Sequence, residues 1–172
     1  MTLETRTTYK EKVSLFALYC VVKKRFFVEW CSTCYRYYSR KPLFFLIDVV
    51  FFALYALRTP FTVSKRYLQG QDSENIYTYG ETPYSTLEYI ARECDITDKD
   101  TVYELGCGRG KTLFWLASFI GCRCHGIEII PSFVQRAQRV QSLFSVEKIS
   151  FCCEDMLEAD FSKATVVYLY GT

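Results

Sequence analysis

The sequence predicts an α/β fold: a parallel, doubly wound, Rossmann-like sheet of which four strands are present, preceded by hydrophobic helices. Three observations carry that prediction. A short apolar strand ending at Leu105 runs directly into three alternate glycines, Gly106, Gly108 and Gly110. A second apolar strand ends in Glu128, and the stretches between strands carry apolar residues at helical spacing.

The elements follow in order. Two apolar runs, residues 15–22 and 43–57, flank a basic and aromatic cluster, and residues 69–75 are a polar linker. Thr82 followed by Pro83 reads as an N-cap and first turn opening an amphipathic helix through Leu87, Ile90 and Ala91. Strands are expected at 101–105, 122–127, 149–153 and 165–170. A helix begins at Lys111; another begins at Pro131, with Phe133, Val134, Ala137, Val140 and Phe144 on one face. The expected domains are a basic, hydrophobic helical segment over 1–68, the linker, and an α/β domain over 76–172.

The glycine loop points to a ligand that the backbone approaches closely, because glycine lacks a Cβ and tolerates positive φ. Two other glycine loops fail on spacing. A dinucleotide fingerprint places its third glycine where Lys111 stands, and a Walker A loop needs a glycine where Leu105 stands. Glu128, at the end of the second strand, suits a carboxylate that accepts ribose hydroxyls. The third strand ends in Glu154-Asp155.

With the loop and both strand-end acids in place, residues 76–172 resemble the class I, seven-strand S-adenosylmethionine-dependent methyltransferases. The segment Tyr79-Gly80-Glu81-Thr82 narrows the likeness to the non-SET histone-lysine methyltransferases and to small membrane-anchored lysine methyltransferases. The resemblance implies S-adenosyl-L-methionine as cofactor and a protein lysine as methyl acceptor. It places Tyr79, Glu81, Thr82, Glu104, Gly106, Gly108 and Gly110 around the methionine end, Glu128 at the ribose, and Asp155 and Met156 at the adenine. Tyr170, at the end of the fourth strand, is expected to line the acceptor channel; no catalytic base is identifiable. Four strands against the family's seven imply a C-terminally truncated or split reading frame. Two other functions stay open at this point: a noncatalytic cofactor-binding remnant acting as a membrane or partner anchor, and an ATP-binding protein using Gly110-Lys111-Thr112.

Charge divides the chain. Residues 1–70 hold twelve Lys and Arg against four Asp and Glu, whereas 71–172 hold nine against fifteen, so a segment of net +8 precedes one of net −6. Basic residues interleaved with aromatics between two apolar runs favour an anionic membrane surface over a nucleic acid, so association through residues 13–57 is expected. Residues 43–57 reach about 22 Å as a helix against roughly 30 Å of hydrocarbon, and Asp48 lies near their middle. An interfacial pair or hairpin fits better than a span; the alternative is that both runs pack as helices on protein outside this chain. No cleavable signal peptide is evident, which places the chain in the cytoplasm or on the cytoplasmic face of a membrane. The nine cysteines and single His125 lack the paired spacing of a metal site, so no metal is expected.

Overall fold

The computed structural model describes residues 9–71 and 79–170. The linker from residue 72 onward, the proposed domain start at 76, and Gly171-Thr172 lie outside the described residues.

Four strands form one parallel sheet in the order β3-β2-β1-β4: β1 Thr101–Leu105, β2 Arg123–Glu128, β3 Ile149–Cys153 and β4 Val166–Leu169. Each lies within a residue of its expected position, and β2 extends to include Glu128. Register places Glu104 beside Gly126 on one side and Tyr168 on the other, with Phe151 beyond Gly126. Val102, Cys124 and Ile149 share this face and are buried. Helices α5 (Lys111–Phe119) and α6 (Pro131–Leu143) contribute Leu113, Phe114, Phe133 and Val140 to the same core. Gly126 is required here: a Cβ would stand 2.6 Å from the Cys107 sulfur and 2.7 Å from Leu113.

Helix α4 (Tyr84–Glu93) forms where expected, but its cap differs from the sequence reading. Pro83 occupies the N-cap, and its carbonyl accepts from Thr86 and Leu87. Thr82 is buried and its hydroxyl pairs with the Tyr168 hydroxyl at 2.5 Å, so it is committed to strand β4 rather than to the helix end.

The N-terminal segment contains α1 (Tyr9–Thr33), a π-helical turn (Cys34–Tyr38), α2 (Pro42–Tyr55) and α3 (Pro60–Gly70). Pro42 and Pro60 start their helices, where a missing N–H costs nothing, and the Thr59 side chain caps α3 by accepting from Thr62 N. Helix α2 packs on this chain's own α/β unit. Its residues Phe44, Ile47, Phe51 and Tyr55, at three-four spacing, are all buried. Phe44 meets Phe119 edge-on at 5.1 Å, Phe51 meets Phe114 at 5.2 Å, and Tyr55 lies 6.1 Å from Phe133. Tyr37 adds ring contacts to Trp115 and Phe119, and its hydroxyl donates to Glu88 at 2.7 Å. Among the described residues no single helix is long and apolar enough to cross a membrane; α2 and α3 together meet that test only as a pair bent by 50°.

Candidate functional site

The site lies at the C-terminal ends of the strands, where a parallel sheet exposes its βα loops. Strand β1 stops at Leu105, and Gly106 and Cys107 both donate to the Ile127 carbonyl, at 2.8 and 3.0 Å, anchoring the loop to β2. The loop then turns through three left-handed residues, Gly106 at φ +70°, Gly108 at +54° and Gly110 at +78°. A Cβ on Gly106 would meet nothing within 4 Å, so the backbone faces open space there.

A cleft of about 240 Å³ opens over this loop. Of the residues expected at the site, Tyr79, Glu81, Thr82, Glu104, Gly106, Gly108, Glu128, Met156 and Tyr170 all line it. Gly110 and Asp155 do not. Gly110 begins α5 with the Phe151 ring packed against it, 2.5 Å from where a Cβ would stand, so its glycine serves packing and the positive φ. Asp155 Oδ1 accepts from Leu157 N at 2.9 Å in a local turn.

Two buried acids set the electrostatics. Glu128 accepts from Gly108 N at 2.7 Å through Oε2 and from Ile130 N at 2.8 Å through Oε1. Those bonds fix the carboxylate and leave further lone pairs for a ligand. Its pKa is raised by burial, against the pull of the backbone donors. Glu104 is more isolated. It is 5% exposed, it accepts from Thr112, and among the described residues its Oε2 has no partner. Burial, with a contribution from the charge of Glu128, pushes its pKa up to about 8. An orphaned carboxylate oxygen in a cleft is costly unless a donor arrives from outside.

The segment Tyr79–Thr82 folds over the loop and is tied down by charge. Arg109 donates to Glu81 through Nε at 2.6 Å and Nη2 at 2.7 Å, Lys111 Nζ stands 3.6 Å away, and the Tyr79 hydroxyl also donates to Glu81. Burial alone would raise the Glu81 pKa; the hydrogen bonds and charge of Arg109, with Lys111, hold it below the usual carboxylate range. The Tyr79 ring stacks on Phe133 at 5.5 Å and lies over Gly108, 3.2 Å from where a Cβ would stand. At the other end Tyr170 packs on Gly80, leaving no room for a Cβ there.

Several functional neighbours escape the sequence reading. Arg109, given no role in the sequence reading, is the clamp on Glu81, and its guanidinium sits 5.7 Å over the Phe51 ring and 5.9 Å over Tyr55, both from α2. Ser64 and Leu68 of α3 line the cleft, although they precede the expected linker. An arginine inside a glycine loop is the available signal, with no mark of which acid it meets; α3 offers none. Among the described residues no group of three or more His, Cys, Asp or Glu is disposed to hold a metal.

Comparison with known proteins gives this geometry a family. Residues 61–167 match the family described as histone methylation protein DOT1, a stretch that begins inside α3 and ends in β4. A histone-lysine N-methyltransferase specific for H3 lysine-79 from Dictyostelium discoideum is 31% identical over 108 residues, covering 55% of this chain and 6% of that protein. The chain therefore spans a small fraction of the length of that relative. Among solved structures, an RNA methyltransferase from Salinibacter ruber in complex with S-adenosyl-L-homocysteine is 35% identical with a TM-score of 0.50, over 53% of this chain and 60% of the other. The match of residues 61–167 covers well over half of the sequence, and the chain belongs to the DOT1 histone methylation protein family.

Proposed function

We infer that this chain carries the cofactor-binding part of an S-adenosyl-L-methionine-dependent methyltransferase acting on lysine in a protein. The observation that carries the reading is Glu104: a buried carboxylate whose Oε2 has no partner among the described residues, beside the open backbone of Gly106, in a cleft that also holds the fixed Glu128 carboxylate. That donor set fits an aminoacyl-adenosyl ligand. Glu104 offers its free oxygen to the α-ammonium, Gly106 and Gly108 leave room for the methionine portion, and Glu128 takes the ribose hydroxyls. Ile129, Ile130 and Met156 supply apolar walls at the Glu128 side, where an adenine ring would rest.

When bound, the cofactor supplies an electrophilic methyl group on a sulfonium. The chain's own residues bind, orient and exclude water. Tyr79 and Glu81 close over the loop, Thr82 is pinned by Tyr168, and Tyr170 bounds the end of the cleft facing Gly80. Positioning of this kind is a large part of catalysis for an in-line displacement. A protein acceptor is supported by the family and by the printed specificity of the Dictyostelium relative. The net charge of −6 over residues 71–172 also weighs against a polyanionic acceptor, although the solved relative is an RNA methyltransferase.

A membrane location is supported by one further observation. Helix α1 leaves Phe16, Leu18, Val21 and Val22 exposed just before Lys23, Lys24 and Arg25, a pattern suited to an anionic interface. Co-flotation of the chain with phosphatidylserine vesicles, lost at high salt, tests that reading; absence from the vesicle fraction at low salt overturns it.

The cofactor reading is tested by calorimetric titration with S-adenosyl-L-homocysteine and with ATP. Saturable binding of the first and none of the second is expected. Binding of ATP alone would replace the methyltransferase reading with a nucleotide-binding one.

A further inference from the structure

A second cavity, of about 640 Å³, lies between the C-terminal half of α1, the π-helical turn, α2 and the start of α4. It is outside the cofactor cleft but backs onto it, since Glu81, Arg109 and Lys111 line both. Most of its wall comes from residues before 61, upstream of the stretch matched to the family.

Its walls have an uncommon chemistry. Six aromatic side chains surround it: Phe26, Trp30, Tyr38, Phe45, Phe52 and Tyr84. Phe26, Trp30 and Phe52 are 70%, 61% and 76% exposed, large apolar surfaces facing an open mouth. Among these rings sit two carboxylates. Asp48 accepts from the Tyr38 hydroxyl at 2.7 Å and the Tyr84 hydroxyl at 2.7 and 2.8 Å, and Glu29 accepts from the Ser85 hydroxyl at 3.0 Å. Both acids are held in place by neutral donors, and neither has a Lys or Arg partner among the described residues. The two cations on the cavity floor are already engaged: Arg109 is bidentate on Glu81, and Lys111 lies near Glu81 and 4.2 Å over the Tyr84 ring.

Aromatic walls with positioned, uncompensated carboxylates match one kind of side chain, an aliphatic stem ending in an ammonium. We propose that this cavity binds a lysine side chain of the acceptor protein, its stem between the rings and its ammonium at Asp48 and Glu29, holding the acceptor against the cofactor cleft. This rests on the protein-lysine reading above for the identity of the partner, but not for the existence of the site. Lys111 over Tyr84 shows the same pairing of ammonium with ring, made by the chain itself at the cavity floor.

The test uses the full chain and N-acetyl-lysine amide as probe, read by the fluorescence of Trp30; Trp115 is buried elsewhere in the core, and Trp30→Phe identifies its contribution. A saturable change with the lysine amide, none with uncharged N-acetyl-norleucine amide, and about tenfold weaker binding in both Asp48→Asn and Glu29→Gln are expected. Glu29, which accepts only from the neighbouring Ser85 among the described residues, covers the case in which Asp48→Asn, which loses a partner of two tyrosines, fails to fold. S-adenosyl-L-homocysteine is titrated into the same samples. If it binds and the lysine amide does not, the cavity proposal falls and the methyltransferase reading stands. If it does not bind while the lysine amide does, the reverse holds. Equal responses to lysine and norleucine amides, or a Trp30 response to phosphatidylserine vesicles but to neither amide, would also overturn the lysine site.

Discussion

Helices α1 and α2 carry comparable numbers of large apolar residues, and both expose some of them, but only α2 buries a continuous apolar face. Helix α2 turns Phe44, Ile47, Phe51 and Tyr55 inward, each no more than 4% exposed, while α1 leaves Phe16, Leu18, Phe26 and Phe27 between 60% and 70% exposed. The apolar positions of α2 repeat every three or four residues along one face and meet the aromatic shoulder of α5 and α6. Those of α1 share the helix with Lys23, Lys24 and Arg25, and polar contacts through Glu29 and Ser85 help join it to α4. The difference teaches that hydrophobic content alone did not mark which N-terminal run belongs to the core. A face able to dock on rings already present in the α/β unit did, and it brings Phe51 and Tyr55 under Arg109, one step from the cofactor cleft.

The largest effect is expected from breaking the buried side of that comparison. Phe51→Ala should destabilise the whole chain by about 3–5 kcal/mol, as for other fully buried aromatics, measured by chemical denaturation. A loss below about 1 kcal/mol would mean that α2 is an appendage rather than core.

Glu104 sharpens the comparison from the sheet side, through pH. Its folded pKa, about 8, lies above the ordinary carboxyl value of 4.5, so between those values the folded ligand-free chain binds more protons than the unfolded one. Stability is therefore highest below about pH 4.5 as far as this group is concerned, and falls as pH rises towards 8. Glu104→Gln should flatten that decline, worth on the order of 5 kcal/mol across the window. An unchanged slope in the variant would show that Glu104 is not the group responsible.

Gly110→Ala comes next. Both its φ of +78° and the Phe151 ring oppose a side chain, and a loss of about 1–3 kcal/mol is expected by thermal or chemical unfolding. The smallest effect belongs to the exposed helix. Phe16→Ser should change stability by less than about 0.5 kcal/mol while reducing recovery with anionic vesicles. A large destabilisation would place α1 in the core after all.

Much of the α/β half was legible in the sequence because its signals are local. The glycines, the strand-end acid Glu128 and the Pro131 helix each declare a backbone position that few other residues fill, and the strands formed within a residue of expectation. What escaped was nonlocal. Thr82 has the sequence of a helix cap, yet a hydroxyl partner on β4, 86 residues away, outcompetes the helix end. Arg109 gives no hint of its acid until the Tyr79–Thr82 segment folds back across 28 residues to bring Glu81 to it.

On the proposed reading, Glu104, protonated near neutral pH, receives a cationic group of the cofactor. Proton release on titrating S-adenosyl-L-homocysteine, measured by calorimetry at pH 7 in buffers of different ionisation enthalpy, tests this most directly. The wild-type chain should release close to one proton on binding, and Glu104→Gln should bind more weakly and release markedly fewer. Tight binding with no proton release in the wild type, or equal release in the variant, would contradict the assignment of Glu104.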